Sequence, residues 1–225
     1  VGLFGNKIPV MHSLPARDRE ALLRVGTPRN YVAGQSPILE GDRTTFALAI
    51  LDGWAVVLTT TQRGRRMIFA IRGPGDIVGE LSAIDGQPRS TTVSALSPLR
   101  TILMPGDRFR SFLDTHPATS AALMSHFSHR LRESDLDRRA LASSTVLQRL
   151  ARLLLELVEH VGTPTPQGTL VDLPLAQYDL AASIGSTREA MAKALRVLRE
   201  RGIVHTHARR VLILHPDLLD VLAGD

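Results

Sequence analysis

Between Tyr31 and Met104 the chain reads as short apolar runs cut every few residues by glycine or proline, and after Pro105 that rhythm stops. The runs are YVAGQSPILEGD, FALAILDGWAVVLTTT, RMIFAIRG, TTVSAL and LRTILM, and the breaks are EGD, LDG, QRG, RGPGD and DGQP. Evenly spaced short strands with turn residues between them build a small β-barrel or jelly roll. Ahead of them PARDREALLRV reads as one short helix. Beyond Pro105 the apolar period lengthens to that of helices. PGDRFRSFLDTH predicts a short helix, and Pro117, tolerated in a first turn, opens a long one to about Ala142. ASSTVLQRLARLLLELVEHVG restarts a helix after a serine-rich break at 143–145, a hinge and domain boundary, and GTPTPQGTL then reads as a loop.

The chain has 225 residues and is 44% apolar, enough for two modest domains with ordinary cores. It has no cysteine, which excludes disulfides, thiolate zinc sites, cysteine-ligated iron–sulfur clusters and cysteine nucleophiles. Apolar runs such as WAVVL are far shorter than the ~18 residues a membrane span needs. A cytoplasmic protein without a membrane partner is expected. The net charge is +5, and the segment from Ser186 to Arg210 alone carries that excess, with seven basic residues against Glu189 and Glu200. Such a patch suits a phosphate backbone, or a solvated helix face.

That basic segment lies in LPLAQYDLAASIGSTREAMAKALRVLRERGIV. A helix over Leu175 to Ser183, a break at Ile184 and Gly185, and a second helix from Ser186 or Thr187 to Arg201 make a helix-turn-helix. Ser186 is the expected cap, with Glu189 three residues on. Leu180, Ala181, Ile184, Met191, Leu195 and Leu198 hold the two helices together. Arg188, Glu189 and Lys193 then face a major groove, where a guanidinium forks onto guanine and a carboxylate accepts from cytosine. Thr187 and Arg199 are placed for phosphates. GIVHTHARRVLIL reads as a β-hairpin wing whose turn carries Ala208, Arg209 and Arg210. In the long helix Phe127, Leu131, Ser134, Arg138, Leu141 and Thr145 follow the 4-3-4-3-4 spacing of a coiled-coil seam.

Strand-rich roll, long helix and winged helix-turn-helix, in that order, resemble the Crp/Fnr family of bacterial transcription regulators over nearly the whole chain. The resemblance implies an α+β fold: a cyclic-nucleotide-binding-type β-roll (jelly roll) over 1–116, a dimerisation helix and hinge over 117–145, and a DNA-binding domain over 146–225. GSTREAMAKAL resembles the family's recognition-helix signature, which assigns base reading to Arg188, Glu189 and Lys193, with lysine where arginine is frequent. Ser186, Thr187, Arg199 and Arg209 complete the expected DNA contacts. GELSAIDGQPRSTT resembles the family's phosphate-binding cassette. By that resemblance Arg89 takes a cyclic phosphate, amides of Gly79, Leu81, Ser82 and Ser90 form an anion nest, and Glu80 accepts from a ribose hydroxyl. Arg130 can pair with Glu80. Ser134 and Asp135 meet the base, and the acid at 135, where a hydroxyl is usual, leaves open whether the effector is cAMP or cGMP.

The expected function is therefore a ligand-responsive, homodimeric regulator that binds palindromic double-stranded DNA and works with RNA polymerase, not an enzyme. Two alternatives stay in view. The same fold can act without a small ligand or answer cyclic di-GMP. A cupin-like metal enzyme would need histidines inside the barrel, and all eight histidines lie outside 31–104.

Overall fold

The computed structural model describes residues 2–4, 8–61, 66–172, 175, 177–207 and 210–224, with the side chains of 137–140 and 177 outside the description. The chain adopts the expected α+β architecture and divides into two compact units, one of Gly5–Thr59 and Phe69–Arg132, the other of Val1–Phe4, Thr60–Ile68 and Glu133–Asp225.

The first unit contains α1 (Ala16–Val25), β1 (Thr27–Tyr31), β2 (Ala47–Asp52) and β3 (Ala55–Thr60). It continues with β4 (Arg66–Arg72), whose first three residues belong to the other unit, β5 (Ile77–Val78), α2 (Glu80–Asp85), β6 (Thr92–Ala95), β7 (Leu99–Met104) and α3 (Gly106–Thr115). The strands form a four-stranded sheet of order β1-β7-β2-β5 and a three-stranded sheet of order β4-β3-β6. Strand β2 is central and buried on both faces. Its side chains alternate: Ala47 and Ala49 join Leu22, Phe109 and Phe112 in one apolar cluster, while Leu48 and Ile50 join Ile38, Val78, Val93 and Leu99 in the other. Small residues on the first face leave room for the α3 phenylalanines.

One expectation in this region is corrected. YVAGQSPILEGD makes no regular strand beyond Tyr31. Turns closed by Gln35 N–H to Val32 O and by Asp42 N–H to Leu39 O interrupt it, leaving one bridge between Ile38 and Val93. Within GELSAID lies α2, six residues that are too short to declare a period in the sequence.

Helix α4 (Pro117–Ser143) continues from one unit into the other. The second unit then adds α5 (Val146–Val161), β8 (Gly162–Thr165), β9 (Gly168–Val171), α6 (Gln177–Ser183) and α7 (Arg188–Glu200), followed by β10 (Val204–His207), β11 (Arg210–Ile213) and α8 (Pro216–Ala223). Leu150, Leu153, Leu154 and Leu157 of α5 follow helical spacing and are buried. Thr145 is not part of a seam on α4. It caps α5, its hydroxyl accepting from Gln148 N while Gln148 Oε1 accepts from Thr145 N, the reciprocal box. GTPTPQGTL is a hairpin rather than a loop, β8 pairing with β9 in a sheet of order β10-β11-β9-β8. Pro164 is tolerated because β8 is the edge strand.

Residues 2–4 belong to this second unit. Leu3 and Phe4 are buried, their amides donating to the two oxygens of Glu156 at 2.9 and 2.8 Å, and the Phe4 ring stacks on His160 at 4.4 Å. Replacing Glu156→Ala is expected to speed deuterium uptake at Leu3 and Phe4 selectively, and to lower stability by about 1–3 kcal/mol, the cost of stranding buried donors. Hydrogen-exchange mass spectrometry and a denaturant titration check it.

Candidate ligand cassette and nucleic-acid interface

The cassette is built at the start of α2. Gly79 caps that helix with φ 75°, and a Cβ there would lie 2.6 Å from Ile38 Cδ1 and 2.8 Å from Arg89 Nη1, so both conformation and space require glycine. Arg89 is only 3% exposed. Its Nε donates to Thr44 Oγ1 at 3.0 Å, its Nη1 to Gly79 O at 2.8 Å and its Nη2 to Phe46 O at 2.6 Å, while the guanidinium sits 4.6 Å above the Phe46 ring. Three of its five N–H donors therefore serve the protein. Burial pulls the Arg89 pKa down, opposed by Glu80 and Asp42. Glu80 is also buried, and its Oε1 accepts from Arg130 Nη1 of α4 at 2.8 Å.

The remaining cassette residues are less enclosed. Ser82 is buried, whereas Leu81 and Ser90 are exposed. Ser134 is half-buried and Asp135 exposed on the part of α4 that belongs to the second unit. Beside Glu80 lies a buried charged group made of Arg72, Asp76 and His126. Asp76 Oδ2 accepts from Gly73 N–H at 2.9 Å, and burial raises its pKa against the lowering influence of Arg72. His126 is pushed down to about 4, by burial first and then by Arg130, Arg72 and His129.

In the second unit α6, a turn and α7 pack through Leu180, Ala181 and Ile184 against Met191, Ala194, Leu195 and Leu198, all buried. Ser186 N–H donates to Ala181 O at 2.9 Å and closes the turn, which passes through Gly185 at φ 60°. The cap of α7 is Thr187, not Ser186. Thr187 Oγ1 accepts from Ala190 N at 3.2 Å, while Ser186 Oγ donates to the Thr187 carbonyl at 3.3 Å. The helix starts one residue later than its signature suggests, and Arg188 becomes its first residue. Arg188, Glu189, Lys193, Arg196 and Arg199 are all exposed, opposite the buried face. Backbone and Thr187 hydrogen bonds hold the Glu189 pKa below the usual carboxylate value.

The wing is the β10–β11 hairpin, with Arg210 paired to Asp172 at 2.9 Å. Ala208 and Arg209, expected in its turn, lie outside the described residues. Sequence reasoning missed Arg66, whose Nη1 donates to the Tyr178 hydroxyl at 2.7 Å and lies 3.5 Å from Asp179 Oδ1. Arg66 and Tyr178 border a cleft of about 550 Å³ that runs to Thr187 and Arg188. The only sequence signal for it was the basic run RGRR. Among the described residues no three or more His, Cys, Asp or Glu side chains could hold a metal ion, and no helix is long and apolar enough to cross a membrane.

Residues 28–116 match the cyclic nucleotide-binding domain family, and residues 148–222 match the Crp-like helix-turn-helix domain family. A CRP-like cAMP-activated global transcriptional regulator from Mycobacterium tuberculosis is 29% identical over 193 residues, 86% of each chain. The cyclic AMP receptor protein of Thermus thermophilus is 25% identical over 215 residues, 96% of each chain. Among solved structures, the c-di-GMP responsive global regulator CLP of Xanthomonas campestris superposes with a TM-score of 0.78 at 22% identity, covering 88% of this chain and 99% of its own. A cyclic nucleotide-binding domain followed by this helix-turn-helix defines a DNA-binding transcription regulator. The chain belongs to the Crp/Fnr family.

The depressed His126 pKa has a consequence for stability. Its ordinary value is 6.5 and its folded value about 4, so between these the unfolded chain binds the extra proton. The contribution is complete above pH 6.5 and is lost as pH falls toward about 4. As pH falls from 6.5 toward about 4, the denaturant midpoint of the protein is expected to fall relative to that of His126→Leu, which lacks the ionisable ring.

Proposed function

We propose that the chain acts as a homodimer whose β-roll senses a cyclic nucleotide and whose paired α7 helices read a palindromic operator. The observation that carries the sensing half is the buried Arg89 cation held against Gly79 beside the Glu80 carboxylate. A ribose cyclic phosphate has one anionic group for Arg89, amide contacts for Gly79, Leu81, Ser82 and Ser90, and a free hydroxyl for Glu80. Entry of that hydroxyl makes Glu80 divide its oxygens between ligand and Arg130, so occupancy is felt on α4. Ser134 and Asp135 meet the base. The two cAMP-named relatives support this ligand class.

Dimerisation is supported by α4. Met124 and Leu131, one heptad apart, are 69% and 64% exposed, more than a lone helix face explains. Phe127 packs into the unit's own core and contributes less to the seam. On DNA, Arg188, Glu189 and Lys193 read base edges, while Ser186, Thr187, Arg199 and the wing's Arg209 hold phosphates. RNA polymerase and a cytoplasmic setting belong to the same reading, as does the division of labour among 1–116, 117–145 and 146–225.

A second reading has one observation in its favour. Arg89 is already bonded to three protein oxygens and Glu80 to Arg130, an arrangement that also suits a roll that works without ligand. Operators recovered by random-oligonucleotide selection, titrated with cAMP, cGMP and cyclic di-GMP, separate the two. Under the sensing reading one nucleotide changes operator affinity, and Arg89→Leu abolishes that change while leaving the dimer mass intact. No response at millimolar nucleotide leaves the ligand-independent regulator. Arg188→Ala is expected to cost about 1–3 kcal/mol at one base pair and relax the choice there. A loss uniform over all sequences would make Arg188 a phosphate contact instead.

A further inference from the structure

The serine-rich break between α4 and α5 reads in the sequence as a free hinge, yet its polar groups are claimed. The Ser144 carbonyl accepts from Arg149 Nη1, and Ser144 Oγ accepts from Arg152 Nη1 at 2.8 Å. Arg152 Nη2 also donates to Gly224 O at 3.1 Å, tying the same residue to the end of α8. Arg149 is 7% exposed, and its Nε donates to Ile184 O at 2.8 Å. Ile184 lies in the turn between α6 and α7, four residues before the first residue of α7. A second contact runs parallel. Leu141, in the last turn of α4, sits over Gly185 so closely that a Cβ there would come within 2.7 Å of Leu141 Cδ2.

We infer that Arg149 is a positioning residue for the recognition helix: its guanidinium braces the α4–α5 junction against the helix-turn-helix turn, so the end of the dimer helix sets where α7 points. A guanidinium is planar, with donors at fixed angles, so one cation bonded to both carbonyls fixes their separation and mutual orientation. The Ile184 carbonyl follows the last turn of α6, where a helix leaves acceptors unsatisfied and favours a cation. Because Arg149 is buried, its bond to Ile184 is not exchanged for water without opening the packing of α5. A tilt at the end of α4 therefore moves Ser144, Arg149 and Ile184 together, and α7 follows. Lysine carries its three donors on one freely rotating nitrogen, so it does not hold the two carbonyls at the fixed angles of the guanidinium plane.

The inference rests on the dimeric, palindrome-reading function proposed above, and its test separates the two. The full chain is titrated against labelled duplexes bearing either the selected palindrome or one half-site. A half-site reports the intrinsic competence of one α7, whereas the palindrome also requires two correctly spaced helices. The expected result for Arg149→Met is half-site affinity within about threefold of the unsubstituted protein and a palindrome advantage reduced about tenfold or more, because the second contact loses its preset geometry. Arg149→Lys is expected to show the same loss, and it carries the test together with Leu141→Ala if Arg149→Met does not give a cooperative melt. A palindrome advantage unchanged in these variants overturns the inference, as does a half-site loss that matches the palindrome loss, which marks a merely structural arginine. Absence of a palindrome advantage in the unsubstituted protein instead overturns the dimeric reading, and the positioning role falls with it.

Discussion

A guanidinium keeps its charge at any pH a folded protein survives, so one sealed from water has to be answered by oxygens. Each of the two compact units contains such a cation, and in each the oxygens come from residues that lie outside the helices and strands. Arg89 gathers Thr44, Phe46 and Gly79, while Arg149 gathers Ser144 and Ile184. Hydrogen bonds to a charged group contribute about 1.5–3 kcal/mol each, and desolvating the cation offsets several kcal/mol of that. The net effect is small in stability and large in geometry. Irregular segments far apart in sequence are held in one arrangement, and among them are the start of α2 and the turn before α7.

The charged group around Glu80 extends this logic onto the long helix. Arg130 of α4 bonds a carboxylate in the cassette, and His126, one turn earlier on the same helix, is kept neutral near Arg72 and Asp76. The cassette and this stretch of α4 are therefore one electrostatic neighbourhood. A change in the charge or hydrogen bonding of Glu80 is felt by α4 without any intermediate carrier.

Much of this was legible in the sequence because periodicity reports burial. The change of rhythm at Pro105 marks the end of the first unit's two sheets, and the apolar spacing of α7 with its exposed cations marks a helix with one free face. What escaped was set by residues whose local signal pointed elsewhere. Pro164 argued for a loop, yet an edge strand does not need its missing N–H. The six residues of α2 are fewer than two turns, so no period could announce them. Ser186 and Thr187 are adjacent hydroxyls, and only the hydrogen bond to Ala190 decides which one caps α7. Thr145 fitted a heptad numerically while belonging to the next helix. Arg149 did carry a signal: it occupies a position on the apolar stripe of Val146, Leu150, Leu153 and Leu157, and a cation on such a stripe calls for a buried acceptor.

The docking of Leu3 and Phe4 on Glu156 joins residues 152 and 153 positions apart. On a ribosome adding ~5–20 residues per second, that acceptor emerges roughly 8–30 seconds after its donors. Throughout that interval an apolar Leu-Phe pair has no berth, and the β-roll can finish folding with this segment still hanging loose. This early-made segment is thus among the last to be sheltered, and translation speed through α5 governs how long it stays open to chaperones and to neighbouring chains.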